Sequence, residues 1–114
     1  MSDCLFCQIV AGQLPAKVAA ESDSSLAFYD IAPQAPVHVL VVPKRHFDGV
    51  NHVSVRDREV FDDLLFLAQE VAEVEGIKES GYRLVFNVGG DGQQTVNHLH
   101  VHVLGGRRMT WPPG

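Results

Sequence analysis

The sequence predicts an α+β fold in which a five-stranded antiparallel sheet is accompanied by one long helix and one short helix. One stretch in the middle of the chain repeats its apolar residues at helical spacing. Five shorter apolar stretches, bounded by turn-forming residues, have the length and composition of strands. Because the strands are grouped around one long helix, the pattern favours α+β with an antiparallel sheet.

The N-terminal third contains a short helix followed by three strands. Residues 3–11 predict a short helix or turn, in which Asp3 accepts a hydrogen bond from the early amide groups and which Gly12 ends. Pro33 and Pro36 cannot donate to a central ladder, so they separate the second strand from the third. The three predicted strands, for which a meander is the economical topology, are Val18–Ala20, Leu26–Asp30 and Val37–Val42.

The rest of the chain contains the long helix and two further strands. Apolar residues at helical spacing predict a helix over residues 56–75, with Ser54 as its cap and Gly76 at its end. Two strands are predicted over residues 81–88 and 98–104. The glycine-rich loop over residues 89–95 joins them.

Composition indicates one compact domain over residues 1–114. The chain is 46% hydrophobic and 20% charged, and no linker-like segment divides it. No apolar stretch is long enough to span a membrane and no signal-like segment begins the chain, so we expect a cytoplasmic protein without a membrane partner. A net charge of −5 and mostly scattered lysines and arginines argue against binding of long nucleic acid.

Three histidines separated by single apolar residues are the strongest functional signal. Strand alternation would put His98, His100 and His102 on one face of a strand. Side chains two residues apart on a straight strand are separated by roughly 6.6 Å and those four apart by roughly 13 Å, so His98 and His102 cannot both touch one small centre. The spacing therefore favours His100 and His102 beside one reacting atom, with His98 free for another task.

The glycine-rich loop leads directly into this histidine row. Its backbone amides, with the side chains of Gln94 and Thr95, could converge on an anion beside His100. A simple hairpin turn is the alternative interpretation of such a loop. The chain contains neither G-x-x-x-x-G-K-[ST] nor G-x-G-x-x-G, so any phosphate must be bound by other means.

The histidine row resembles the signature of the histidine triad (HIT) nucleotide hydrolases and transferases. The match is carried by the segment His98-Leu99-His100-Val101-His102-Val103-Leu104. Further segments resemble the nucleotide-binding Hint branch of that family, namely Phe28 to His38, Val42-Pro43-Lys44, Gly81-Tyr82-Arg83, Asn87, Leu104 to Arg107, and Trp111-Pro112-Pro113-Gly114. The resemblance implies a single HIT domain with the HIT-like fold.

The same resemblance implies an activity. Hint-branch proteins hydrolyse purine nucleoside 5′-phosphoramidates, in which AMP is joined to an amine such as a lysine side chain, through a covalent nucleotidyl-histidine. They act without a catalytic cofactor. The resemblance also implies a homodimer whose C-terminal segments lie near the partner's active site.

The chemistry of imidazole is consistent with that activity. A neutral imidazole is a competent nucleophile near pH 7 when its other nitrogen donates to a carbonyl group. We expect His100 to attack the α-phosphorus, and His102 either to contact the phosphoryl oxygens or to protonate the leaving nitrogen. The resemblance adds His98 and His38 to the catalytic set, with His38 orienting His100 or helping to bind phosphate. A hydrogen-bonded core histidine is the alternative for His38.

Matching positions give the expected nucleotide contacts. Asp30 resembles the carboxylate that binds the ribose hydroxyls, although an Asp that only forms a turn is the alternative. The remaining expected contacts are Ile31 on the base and Asn87, Gln93, Gln94 and Thr95 on ribose and phosphate. Gln93 stands where these proteins often carry glycine, and Asn97 replaces a common bulky residue, so both positions bear on fine substrate preference.

Cys4-Leu5-Phe6-Cys7 supplies two thiols at a spacing typical of zinc sites. Many members of the resembled family complete a structural zinc site with residues that correspond to His46 and His98. Four protein ligands would leave no open position for substrate, so this zinc would be structural. A thioredoxin-like redox pair lacks the expected strand context, and two unbound buried thiols remain an alternative.

Other functions stay open on the sequence alone. These are a dinucleoside polyphosphate hydrolase of the same family, a metal-dependent His-x-His hydrolase and a noncatalytic nucleotide-binding protein. The stiff, apolar Trp111-Pro112-Pro113-Gly114 ending resembles the phosphoramidase branch, and we expect it to dock, either near a dimer axis or on its own protomer. Arg107 and Arg108 either add charge there or are simply solvated.

Overall fold

The computed structural model describes residues 3–114 and confirms the predicted fold class; Met1 and Ser2, part of the predicted domain, lie outside the described residues. Five antiparallel strands form one sheet in the order β1-β2-β3-β5-β4. The helices and strands are α1 (Leu5–Val10), β1 (Val18–Glu21), β2 (Ser25–Tyr29), β3 (Val37–Pro43), α2 (Glu59–Val74), β4 (Tyr82–Val85) and β5 (Val101–Gly105).

Each face of the sheet is covered by one helix. Alternation along the strands sends Val39, Val41 and Val101 towards α2, where they join the larger apolar core. The opposite face presents Leu40 and Phe28 to α1 and forms a smaller core with Phe6. His38 and His102 lie on this second face, because they alternate with the valines of the first. No helix within residues 3–114 is long and apolar enough to cross a bilayer.

Both predicted helix caps are wrong in detail. The N-cap of α1 is Cys4, whose sulfur accepts from the backbone N–H of Cys7 at 3.4 Å, and not Asp3. Ser54 precedes a 3-10 turn over Val55–Asp57, and α2 begins only at Glu59. The turn absorbs the residues between the predicted cap and the helix. Gly76 ends α2 as predicted, with a φ of 73° that favours glycine.

The last two strands are shorter than predicted. The first three strands form the expected meander, but β5 lies between β3 and β4, so β4 forms the sheet edge. β5 begins at Val101, because the backbone leaves the ladder before it: the N–H of Leu99 donates to the Phe47 carbonyl at 2.7 Å. His98 and His100 therefore precede the strand, and only His102 of the three lies within it.

Candidate active site and metal centre

A cavity of about 540 Å³ opens on the face of the sheet that α1 covers. Its size is within the range of small-molecule sites, and its walls are mainly apolar with a few polar groups. The polar and charged residues in its lining are Lys17, Asp30, Thr95, His100 and His102. The cavity therefore brings together two of the three histidines, the predicted ribose carboxylate and one residue of the predicted phosphate loop.

His100 is held in one tautomer. Its Nδ1 lies 2.7 Å from the carbonyl oxygen of His98, so Nδ1 carries the proton and donates. The ring is buried and packs against the edge of Phe6 at a centroid distance of 5.2 Å. Among the described residues, only Ser25 Oγ is a fully buried side-chain N or O atom without a partner. His100 Nε2 has no protein partner, so its lone pair reaches solvent through the cavity.

His38 and His102 form a hydrogen-bonded pair whose direction is fixed by the backbone. The N–H of Gln34 donates to His38 Nδ1 at 3.0 Å, so that nitrogen is an acceptor. The proton of neutral His38 is then on Nε2, which lies 2.9 Å from His102 Nδ1 and 3.5 Å from Asp30 Oδ2. His102 accepts at Nδ1 and carries its own proton on Nε2. Within the cavity, His100 thus offers a lone pair at Nε2, and His102 offers an N–H at Nε2.

Burial keeps this pair neutral. Desolvation lowers the pKa of His38, although the nearby Asp30 carboxylate opposes the effect. The pKa of His102 falls to about 4, chiefly through desolvation and then through repulsion from His100 and His38. Near pH 7 the free protein therefore holds His102 as a hydrogen-bond donor and not as an acid.

Two thiols and two imidazoles converge beside the cavity, at His98. His98 Nδ1 lies 3.3 Å from Cys4 Sγ and 3.4 Å from Cys7 Sγ. His46 Nδ1 lies 3.2 Å from Cys7 Sγ and 3.1 Å from His98 Nδ1. Tetrahedral zinc with ordinary Zn–S and Zn–N bonds needs ligand atoms about 3.3–3.8 Å apart. All four ligand atoms lie within 4.8 Å of one another, close to that requirement.

The hydrogen bonds around the two histidines prepare both of them for metal binding. His98 Nε2 donates to the Pro43 carbonyl at 2.9 Å, and His46 Nε2 donates to the Asp48 carboxylate at 2.7 Å. Both Nδ1 atoms therefore keep a lone pair directed at the thiols. The His46 hydrogen bond also holds the pKa of Asp48 below its usual value. Carboxylate or carbonyl acceptors behind ligating histidines are typical of zinc centres, so these residues fit the metal.

Comparison with known protein families matches residues 11–109 to the HIT domain. This chain belongs to the HIT family. It is 45% identical over 112 residues to a HIT-like protein of Synechococcus elongatus, covering 98% of this chain and 97% of that protein. It is also 45% identical to a protein from Zea mays described as a 14 kDa zinc-binding protein, covering 99% of this chain and 89% of that protein.

Solved structures agree with the family assignment. A HIT family hydrolase from Legionella pneumophila superimposes with a TM-score of 0.95 at 52% identity, covering 98% of this chain and all of that one. The fold of this HIT protein is therefore that of the HIT hydrolase from Legionella pneumophila.

Only some of the predicted nucleotide contacts line the cavity of this HIT protein. Ile31 and Thr95 line the cavity with Asp30, whose Oδ1 also accepts from the Ala32 N–H at 2.8 Å. Asp30 therefore forms the turn that was its alternative role and still faces the cavity. Asn87 and Gln93 do not line it.

Gln94 has a different task in this protomer. Its Nε2 donates to the Asp48 and Val96 carbonyls at 2.7 and 3.1 Å, while its Oε1 accepts from Gly89 N–H at 3.2 Å. The side chain therefore ties the glycine-rich loop to the segment that carries His46. Gln93 adopts a φ of 63°, in the region that favours glycine.

A second group of possible ligands does not suit a metal. Asp30, His38 and His102 place one ligand atom each within 4.8 Å of one another. A neutral imidazole that binds a metal through Nε2 must carry its proton on Nδ1. His38 Nδ1 instead accepts from the Gln34 N–H, so metal binding at Nε2 would break that hydrogen bond. His38 and His102 instead form a hydrogen-bonded relay, with the Asp30 carboxylate 3.5 Å from His38 Nε2.

The C-terminal segment is hydrogen-bonded to β4, but its indole is left uncovered. The guanidinium of Arg83 donates to the Thr110 carbonyl at 2.8 Å and holds the segment near β4. Trp111, which we expected to be covered, is nevertheless 82% exposed. Packing of the indole on the same protomer is therefore wrong.

Sequence reasoning missed residues that act through the backbone or behind the site. Phe6 packs against the rings of both His98 and His100 but has no polar signature. Gln34 acts through its main-chain N–H, which any residue except proline supplies. Asp48 follows His46 by two residues, and that spacing is the one signal that could have indicated it.

Proposed function

We propose that this protein hydrolyses purine nucleoside 5′-phosphoramidates through a covalent nucleotide on His100. The carrying observation is the fixed tautomer of His100, whose Nδ1–H is engaged by the His98 carbonyl at 2.7 Å while Nε2 is open to the cavity. A neutral imidazole held in this way is a nucleophile that needs no separate base. The HIT hydrolase neighbours support a hydrolase, and the substrate class is our proposal.

The cavity walls suit a purine nucleotide. Apolar side chains of α1, including Ile9, face Phe28 and Leu40 across a space wide enough for a flat base. Ile31 is fully exposed at the rim and would gain cover from a bound base. The carboxylate of Asp30 can accept from two vicinal ribose hydroxyls. The base would then lie against α1, and the α-phosphate would reach His100.

Neutral donors would hold the phosphate. His102 offers Nε2–H, and the hydroxyl of Thr95 lies at the same cavity wall. Because the pKa of His102 is lowered to about 4, we assign it to a phosphoryl oxygen, where the charge of the transition state develops, in preference to protonation of the leaving nitrogen. We include Asn87, Gln93 and the backbone of Gln94 in the proposed phosphate and ribose contacts by family resemblance only.

The proposed reaction has two balanced steps. His100 Nε2 forms a bond to the α-phosphorus as the phosphorus–nitrogen bond breaks, and the departing amine takes a proton from solvent. Water then attacks the phosphorus, the bond to Nε2 breaks, and one proton returns to solvent as AMP is released. His98 contributes by accepting from His100 Nδ1–H throughout. No catalytic cofactor takes part in either step.

We also propose structural zinc held by Cys4, Cys7, His46 and His98. Zinc would supply no chemistry to the reaction; it would hold α1 against the segment that carries the catalytic histidines. The support is the donor set and the two carbonyl or carboxylate partners described above.

A homodimer is part of the proposal. β4 is an edge strand that pairs only with β5, and the side chain of Leu84 on it is exposed. Trp111 follows nearby and is largely uncovered. A second copy of this single-domain chain could cover both Leu84 and Trp111. Sedimentation equilibrium of the full chain would give twice the mass of one chain.

Intact-protein mass spectrometry after rapid mixing with adenosine 5′-phosphoramidate tests the mechanism. We expect a transient adduct of one adenylyl group and release of AMP. His100→Ala should show no adduct and should lose about 10³-fold or more of the turnover rate. His52→Ala, an exposed histidine outside the cavity, is the matched control and should form the adduct normally.

The same experiment separates the competing functions. Retention of turnover after brief chelation supports the proposal, whereas turnover that depends on added metal would favour a metal-dependent hydrolase. Preference for dinucleoside polyphosphates over the phosphoramidate would favour that branch of the family. AMP binding without any turnover would leave a nucleotide-binding protein.

A further inference from the structure

Arg107 makes an unusual connection for a surface arginine. It follows β5, and its guanidinium donates to the Gln34 carbonyl from Nη2 at 3.1 Å and from Nε at 3.4 Å. Nη1 donates to the Arg108 carbonyl at 3.3 Å. All of these acceptors are backbone carbonyls, so the side chain holds main chain in place. Nε and Nη2 donate to the same oxygen, which the rigid, planar guanidinium of arginine allows and the single ammonium of lysine does not.

The turn before Arg107 is built to bring it there. Gly106 has a φ of 87°, a conformation that favours glycine, and a Cβ added to it would lie 2.9 Å from Pro36 Cβ. Gly105 is equally confined, because an added Cβ would lie 2.6 Å from Ile77 Cδ1. The turn therefore packs directly against the loop over residues 30–37, and Arg107 reaches along that loop to Gln34.

Gln34 is the residue that sets the direction of the histidine relay. Its N–H makes His38 Nδ1 an acceptor, which leaves the His38 proton on Nε2 and makes His102 Nδ1 an acceptor in turn. If the Gln34 N–H moved away, His38 could carry its proton on Nδ1. His102 would then have to donate from Nδ1, and its Nε2 would present a lone pair to the cavity. A lone pair repels a phosphoryl oxygen that an N–H would bind.

Residues 31–34 of this loop are exposed and bury little surface of their own, so hydrogen bonds from outside the loop help to fix its backbone. Ile31, Ala32, Pro33 and Gln34 are all exposed, and the side chain of Gln34 bonds only within the loop, to the Ala32 carbonyl at 2.9 Å. Besides the packing of Pro36 against Gly106, the hydrogen bonds of Arg107 to the Gln34 carbonyl tie this stretch to the segment that follows β5.

We infer that Arg107 is a positioning residue that keeps His38 and His102 in a single tautomeric arrangement by holding Gln34. It does not touch substrate. Its effect on turnover rests on the proposed phosphoramidase function, but its effect on the two imidazoles does not. The two effects can therefore be measured separately.

The primary experiment is a long-range proton–nitrogen correlation spectrum of the substrate-free full chain at neutral pH, which identifies the protonated nitrogen of each imidazole. In the wild type we expect protonated Nε2 and unprotonated Nδ1 for both His38 and His102. Arg107→Met should give a mixture of tautomers at both residues. Arg107→Lys keeps one donor and should restore part of the wild-type pattern. Arg108→Met is the matched control and should leave the pattern unchanged.

Turnover provides the second readout. Arg107→Met should lower kcat for adenosine 5′-phosphoramidate by about tenfold with a smaller change in KM, as expected for loss of one well-placed hydrogen bond. An unchanged tautomer pattern in a folded Arg107→Met protein overturns the inference, whatever the activity. If that variant does not fold, the pattern in Arg107→Lys decides, and a fully wild-type pattern with wild-type kcat overturns it. Absence of turnover in the wild type refutes the proposed function and leaves the tautomer result valid.

Discussion

His100 donates its Nδ1 proton to the backbone carbonyl of His98 at 2.7 Å, so one histidine of the triad fixes the tautomer of another. The side chain of His98 points to the Cys pair, while its carbonyl points to His100. His98 therefore takes part both in the proposed metal centre, through its side chain, and in the orientation of the proposed nucleophile, through its carbonyl. Movement of His98 on metal loss would be transmitted to His100 without any intervening residue.

Substitution of His102 should separate hydrogen bonding from proton transfer. His102→Ala removes the Nε2–H donor and should lower kcat by about 10²- to 10³-fold. His102→Gln keeps an N–H donor but cannot act as an acid, so it should be at least about tenfold more active than the alanine variant. Steady-state rates with adenosine 5′-phosphoramidate measure both. Equal rates for the two variants would contradict the donor role.

Asp30→Asn should weaken binding of the ribose. The carboxylate accepts two hydroxyl hydrogen bonds in the proposed complex, so we expect KM to rise about 10- to 100-fold, in line with the value of hydrogen bonds to charged groups. A 2′,3′-dideoxy substrate should bind the wild type and Asp30→Asn almost equally. If the variant lowers turnover of both substrates by the same factor, Asp30 acts through His38 and not through ribose.

Asp48→Asn should weaken zinc binding without removing a ligand. The carboxylate accepts from His46 Nε2 at 2.7 Å, and loss of such a partner typically costs about 10- to 100-fold in metal affinity. Competition with a chromophoric chelator gives the affinity. Asp91→Asn, an exposed aspartate in the glycine-rich loop, is the control. An affinity equal to that of Cys7→Ser would indicate that the substitution had disrupted the centre itself.

Acid should destabilise the protein between pH 6.5 and pH 4 through His102. Its pKa is about 4 in the folded chain against an ordinary value of 6.5, so the unfolded chain binds more protons in this window. The free energy of unfolding is therefore fully retained above pH 6.5 and falls as the pH falls, by at most about 3 kcal/mol for this group. His38 acts in the same direction.

Urea denaturation of the wild type and of His102→Asn at several pH values measures this contribution. The stability curve of the variant should be flatter between pH 6.5 and pH 4. Parallel curves for the two proteins would show that the His102 imidazole is not desolvated as the fold implies.

The helices and most strands could be predicted from short stretches of sequence, because residues close together in the chain determine them. The 3.6-residue repeat of buried Leu64, Leu67 and Val71 reflects one helix face, and the glycine at position 76 reflects one backbone angle. The extent of β5 could not be predicted in this way. The alternation of apolar and histidine residues continues back to His98, but the backbone N–H of Leu99 bonds to Phe47, which is far away in the sequence.

The candidate site was predictable where side-chain chemistry identifies a residue. His98, His100 and His102 stand out by type and spacing, and so does the Cys4 and Cys7 pair. The direction of the His38 and His102 hydrogen bond was not predictable, because it depends on the main-chain N–H of Gln34. The same holds for Arg107, whose partner is a carbonyl 73 positions away.

The six residues of α1 are too few to form a stable helix in isolation. It is held over the histidines by packing of Phe6 and by the contacts of Cys4, at its N-cap, and Cys7, within it, to His98 and His46. If zinc is removed, amide hydrogens of residues 5–10 should exchange with solvent far sooner than those of β3, because this helix can detach while the sheet stays intact. In the proposed protein, metal supply would then control how long the nucleotide site stays assembled, even though zinc is assigned no step of the reaction.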